Sequence, residues 1–200
     1  MEPSKTRRRA AAAARSNRER TETTRRALLE AARALFVEKG YGATSTPEVA
    51  AAAGITRGAL YHHFADKRDL FRQVLDAEAA AVREDILAAD RPGLSAQAAL
   101  IGGAQAYLQA MTVPGRTRLL LIEGPAALGA QEALAIDDAN AGRTLREGLA
   151  EALGENAVDC DALARLMSAA FDRAALEIDA GGDAARIRQT MLWTINKLLA

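Results

Sequence analysis

The segment from Ser45 to Phe64 constrains this chain most, because it reads as two short helices divided by a glycine. Ser45-Thr46-Pro47-Glu48 opens the first. Ser45 and Glu48 have the spacing of a capping box, or Thr46 caps with Pro47 at the first helical position. Gly54 ends that helix, and Thr56 can cap a second one running to about Phe64. In a helix-turn-helix of this size the second helix enters the DNA major groove with its N-terminal end leading.

The faces of that second helix differ in chemistry. Ala59, Leu60, His63 and Phe64 share a mostly apolar side that packs on Val49, Ala50 and Ala53. Arg57, Gly58, Tyr61 and His62 share the outward side. Arg57 can pair with a guanine edge or hold a phosphate, and Gly58 lets the backbone approach a surface closely. Tyr61 offers a hydroxyl to phosphate and a ring to a thymine methyl, and His62 can donate to phosphate or a base. Thr44, Ser45 and Thr46 place hydroxyls near a helix start, and Lys67 places a cation near the next one, where phosphate is favoured. His63 reads as a packed residue, and Thr56 as a cap first and a contact second.

Charge supports this reading. The formal net charge is zero, yet residues 1–72 carry 15 Lys/Arg against 8 Asp/Glu, and residues 73–200 carry 11 against 18. A basic third joined to an acidic remainder suits a chain that meets a polyanion at one end. Residues 1–20 read as a flexible basic arm of low hydrophobicity.

Helical periodicity extends along the chain. Leu28, Ala32, Leu35 and Phe36 form a stripe that ends at Lys39-Gly40, and Asp66 can cap a long helix that ends at Arg91-Pro92-Gly93. Residues 94–111, about 115–129 and about 131–153 read as further helices. Asp159 opens a penultimate helix with Leu163, Leu166, Met167, Ala170, Phe171, Ala174 and Ile178 on its stripe. Asp183 opens the last, with Ile187, Met191, Leu192, Ile195, Leu198 and Leu199. No strand alternation or repeat occurs, so the fold class is all-α.

Several function classes find no support. Cys160 is the single cysteine, which suits a reducing cytosol and a buried thiol. His62 and His63 are adjacent, about 100° apart on a helix, so they do not form a chelating pair. No metal, cofactor or nucleophile–base pattern is expected, and no run approaches the roughly 20 apolar residues of a membrane span. The expected location is cytoplasmic.

Ala43-Thr44-Ser45, Val49-Ala50, Ala53-Gly54-Ile55, Gly58-Ala59-Leu60-Tyr61-His62-His63-Phe64 and Lys67 together resemble the TetR family of repressors. The likeness covers about residues 23–70. After the basic arm over 1–20, it implies a helix-turn-helix DNA-binding head over 21–66 and a helical ligand-binding and dimerisation domain over 67–200. Pro47 stands where that family often carries Arg or Lys, and the arm is expected to compensate by reaching a minor groove.

The resemblance also implies partners: double-stranded DNA, a second copy through about residues 159–199, and a small molecule. The pocket is expected among residues 67–153, with Tyr107, Met111, Arg118 and Glu123 as candidate lining and Glu123 alternatively paired with Arg116 or Arg118. Few aromatics follow residue 72, so an aliphatic pocket is expected. The overall expectation is a ligand-released repressor on a palindromic operator, not an enzyme. The alternative is a helical enzyme or interaction module with a basic localisation head.

Overall fold

The computed structural model describes residues 5–154 and 158–199, with side chains from residue 19 onward. The arm expected over residues 1–20 falls mainly on side chains outside the described residues. Among the described residues every regular element is a helix. The chain divides into two compact units, residues 1–74 and 75–200.

The first unit begins with α1, Lys5–Ala43, whose helical geometry is interrupted at Gly40, at φ 82° and ψ 164°. At that positive φ a side chain would crowd the preceding carbonyl, so glycine is what lets the regular helix stop. α2 spans Thr46–Ala52 and α3 spans Arg57–His63. Gly54, at φ 67°, turns the chain between them. α4, Lys67–Ala89, starts where Asp66 Oδ1 accepts from the Asp69 amide at 2.8 Å and Asp69 Oδ2 accepts from the Ala65 amide at 2.9 Å.

α2 and α3 are too short to persist alone. Packing holds them: Leu28, Ala32, Phe36, Leu60, Leu70 and Phe71 are wholly buried, and Val49 and Phe64 nearly so. Phe36 and Phe71 meet edge to face with centroids 4.9 Å apart. Each such side chain contributes about 1.5–3 kcal/mol on burial. Leu70 and Phe71 explain why the unit boundary falls within α4 rather than ahead of it, since the first turns of α4 belong to this core.

The second unit takes the rest of α4 and then α5 (Ala96–Ala110), α6 (Arg116–Arg118), a π turn (Leu119–Glu123), α7 (Gly124–Leu128), α8 (Ala130–Asp138), α9 (Ala141–Leu153), α10 (Cys160–Asp179) and α11 (Ala184–Leu198). Ser95, Asp159 and Asp183 cap α5, α10 and α11 through their side chains. The core gathers Val82, Leu100, Leu108, Leu149, Phe171 and Ile195. A buried strut crosses it. Arg116 Nε donates to Glu78 Oε2 at 3.0 Å, and its Nη1 donates to Ala110 O at 2.8 Å.

Two expected helices differ from the sequence reading. Residues 131–153 are two helices, not one, because the chain breaks at Ala139-Asn140. Asn140 Nδ2 donates back to Ile136 O at 2.8 Å, so its side chain competes for the carbonyl that would continue the helix. The helix expected near 115–129 contains the π turn, in which the Gly124 amide reaches back five residues to Leu119 O.

Candidate functional site

The outward face of α3 is built from below. Ser45 Oγ caps α2 by accepting from the Glu48 amide, and Glu48 Oε2 accepts from the Ser45 amide at 2.9 Å. The Ser45 hydrogen bond and Lys39, whose ammonium stands 3.1 Å from Glu48 Oε1, hold the Glu48 carboxyl down at about 2. The box fixes where Thr46 sits. Thr46 is buried, and its hydroxyl lies 2.9 Å from the Tyr61 hydroxyl.

Tyr61 is thus tethered at its tip while the residue stays 42% exposed. The Arg57 guanidinium lies 5.6 Å from that ring's centroid, a cation–π distance. The Thr46 hydrogen bond, then Arg57, pulls the Tyr61 phenol below its usual range. Arg57, Gly58, Tyr61 and His62 all open to solvent, whereas Leu60 and Phe64 are buried and His63 is half-buried. Thr56 is exposed and caps α3, accepting from the Ala59 amide at 3.2 Å. Arg57, Gly58, Tyr61, His62 and Thr56 are therefore accessible, Ser45 is half-buried, and the buried Thr46 meets Tyr61 at its hydroxyl.

Two of the residues singled out in the sequence sit differently. Thr44 is buried, and its hydroxyl donates to Gly40 O at 2.8 Å and to Leu35 O at 3.2 Å. Those carbonyls are left over where the long part of α1 ends, so the hydroxyl is spent on the fold rather than presented outward. Lys67 Nζ donates to Tyr41 O at 2.9 Å and Thr44 O at 3.0 Å, and it lies 4.3 Å from the Tyr41 ring centroid. One of its three donors remains.

The second unit contains two adjoining clefts. The larger, of about 330 Å³, is walled by aliphatic side chains including Leu75, Val82, Leu121 and Ile136, with Met111. Its polar lining is Tyr107, Asp137 and Asp172. The smaller, of about 190 Å³, shares Tyr107 and Ala141 with it. Tyr107 and Met111 are thus brought together, but Arg118 and Glu123 line neither cleft. They pair with each other, Arg118 Nη2 to Glu123 Oε1 at 2.6 Å.

Asp137 and Asp172 escaped the sequence reading, since an acid in a helix ordinarily reads as a solvated charge. The available signal was position: Asp172 directly follows the stripe residue Phe171 on α10. Tyr107 donates to Asp172 Oδ1 at 2.7 Å, and Ser168 donates to Asp137 Oδ2 at 2.8 Å. Burial pushes both carboxyls up, Asp172 to about 6, and pushes the Tyr107 phenol up as well. No group of three or more metal-ligating side chains occurs among the described residues, and none of their helices is long and apolar enough to cross a membrane.

Known proteins share this organisation. Residues 28–74 match the family described as bacterial regulatory proteins, tetR family, and residues 97–200 match the tetracyclin repressor-like C-terminal domain. The transcriptional regulator AcrR of Shigella flexneri is 46% identical over 61 residues, 30% of this chain and 28% of the relative. The transcriptional repressor KstR2 of Mycobacterium tuberculosis is 48% identical over 48 residues, 24% of each chain. The chain thus spans less than a third of the length of these curated relatives. A TetR-family transcriptional regulator from Pectobacterium atrosepticum superposes with TM-score 0.69 at 28% identity, covering 91% of this chain and 95% of that one. A second, from Syntrophomonas wolfei, gives TM-score 0.76 at 15% identity over 89% and 95% of the two chains, a likeness of fold alone.

Proposed function

This chain belongs to the tetR family of bacterial regulatory proteins, and from that premise we propose that it is a transcriptional repressor released from a palindromic operator by a small molecule. One observation supports this above others: the exposed Arg57-Gly58-Tyr61-His62 face of α3, with Tyr61 held in place by Thr46. Arg57 takes a guanine edge or a phosphate. Tyr61 places its ring toward a thymine methyl, and His62 donates to the backbone or a base. Ser45 and Thr56 stand at the margin of the contact. Thr46 and Thr44 act as frame, and Lys67 ties the frame together while offering its remaining donor to phosphate.

The assembly is a homodimer through α10 and α11. Leu166 on α10 is 71% exposed and Trp193 on α11 is 61% exposed, so each helix has an apolar side chain that a partner copy would cover. A symmetric pair of two-helix faces forms a four-helix bundle. Two heads then reach successive major grooves about 34 Å apart. A ligand that favours a dimer with other head spacing weakens DNA binding, and DNA weakens the ligand by the same factor. Such a repressor works in the bacterial cytoplasm, where the chromosome is. The relatives AcrR and KstR2 are a transcriptional regulator and a transcriptional repressor.

Selection of genomic fragments by the purified protein tests the reading, with Tyr61→Ala as control. Enrichment of a short inverted repeat by the wild type alone, weakening with salt, is the expected result. Equal retention of all fragments by both proteins would sink it.

A further inference from the structure

The two adjoining clefts that share Tyr107 carry ionisable groups of one sign. Among the side chains lining the larger cleft, Asp137 and Asp172 are acidic and no Lys, Arg or His is present. The adjoining cleft repeats the pattern, with Asp90, Glu147 and Glu151 and again no cation. Asp172 is partnered by the Tyr107 hydroxyl and Asp137 by the Ser168 hydroxyl. Neither forms an ion pair among the described residues. Hydroxyl donors satisfy lone pairs but supply no countercharge, and a carboxylate withdrawn from water without a countercharge is costly.

A second feature marks the same cavity. Leu120 and Leu121, on its wall, belong to the π turn Leu119–Glu123. The turn runs into Pro125, which has no amide hydrogen to donate and also lines the cleft. Such turns give up regular helical bonding and concentrate at functional sites. The wall is thus irregular where it faces the carboxylates' cavity, although no buried charge of α6 or α7 enters that cavity to neutralise them.

We propose, resting on the reading of this unit as the small-molecule sensor, that the larger cleft binds an amphiphilic organic cation, an aliphatic body ending in a protonated amine. The chain lies against Leu75, Val82, Leu121 and Ile136, and the ammonium takes the countercharge position at Asp137 and Asp172. Tyr107 orients Asp172 through its hydroxyl and is shared with the adjoining cleft, into which a longer ligand extends. The same lining disfavours a fatty carboxylate of equal length, which would bring a like charge into the cavity.

Calorimetric titration of the full-length protein, without DNA, tests this at about pH 8, where both amine and carboxylate ligands are charged. Hexylamine, octylamine and decylamine are compared with hexanoate, octanoate and decanoate. Each amine of sufficient length is expected to bind at least about tenfold tighter than its matched acid. Asp137→Asn and Asp172→Asn, which keep an acceptor oxygen for Ser168 and Tyr107, are expected to remove most of that preference. Acids binding as tightly as amines, no amine-selective binding across the series, or full selectivity in both variants would overturn the proposal. The wild-type comparison needs no variant to fold. DNA is absent, so failure here leaves operator recognition standing, and failed fragment selection leaves the amine result readable.

Discussion

The Tyr61 hydroxyl, on the exposed face of α3, lies 2.9 Å from the hydroxyl of Thr46, buried at the start of α2. The two helices of the helix-turn-helix are therefore coupled by a side-chain bond, in addition to their shared apolar core. On the proposed reading, a side chain set in this way loses less freedom on meeting DNA. Tyr61→Phe and Thr46→Val should each weaken operator binding while leaving the melting temperature nearly unchanged. The double variant should lose no more than the worse single one. Electrophoretic mobility shifts on all four proteins check this, and fully additive losses would show that Thr46 does not act through Tyr61.

Lys67 closes the frame from the other side by donating to the Tyr41 and Thr44 carbonyls. Lys67→Met should leave both acceptors without that donor and destabilise the protein by about 1–3 kcal/mol. Urea unfolding reads the loss. If Lys67 served only as a phosphate contact, stability would stay constant and only DNA affinity would fall.

Arg116 and Glu78 are both buried and share a 3.0 Å ion pair, so removing one takes a charged partner from the other inside the core. Arg116→Met should cost about 3–5 kcal/mol, and Arg116→Met with Glu78→Met should cost less than the single change. Asp85 also reaches Arg116, at 3.6 Å, but is more open to water. Thermal unfolding of both variants gives the comparison.

Asp172 makes a pH prediction. Its carboxyl is raised from 3.8 to about 6, first by burial, with Tyr107 pulling down and Asp137 pushing up. Between those values the folded protein keeps a proton that the unfolded chain releases. Asp172 therefore withdraws stability as pH rises through that window, by roughly 2 kcal/mol in full after allowing for solvent access. Asp172→Asn should match the wild type below the window and exceed it above about pH 6. Glu48 and Asp69, both lowered, contribute in the opposite direction as pH falls, and they cancel in the wild-type-minus-variant difference. A variant equally or less stable at neutral pH would refute the burial argument.

Leu166, 71% exposed on α10, tests the assembly. Leu166→Glu should shift the protein from dimer to monomer in sedimentation equilibrium, with little change in helicity. A persistent dimer would move the interface elsewhere.

Much of the head was legible because its determinants are local. Ser45 and Glu48 are three residues apart, Thr56 meets the Ala59 amide three residues on, and Gly54 must adopt a positive φ for the turn. Short-range capping and a 3.6-residue period leave few alternatives, so the α3 faces follow from spacing alone. The stripes of α10 and α11 were legible for the same reason. The break at Asn140 was not, because a polar residue within a helical pattern gives no sign of whether it will point to solvent or bond back to the Ile136 carbonyl.

By itself, then, the sequence determined the short helices of the head with their caps, the helix-turn-helix and the outward set Arg57, Gly58, Tyr61 and His62. Tertiary structure alone decided the duties of groups that meet across long separations. It spent Lys67 on the Tyr41 and Thr44 carbonyls and brought Tyr107 to Asp172 across 65 residues. The physical reason is range. Helix formation and capping act within one turn, whereas burial of a charge and the choice of its partner depend on which helices happen to lie against it once the core has closed.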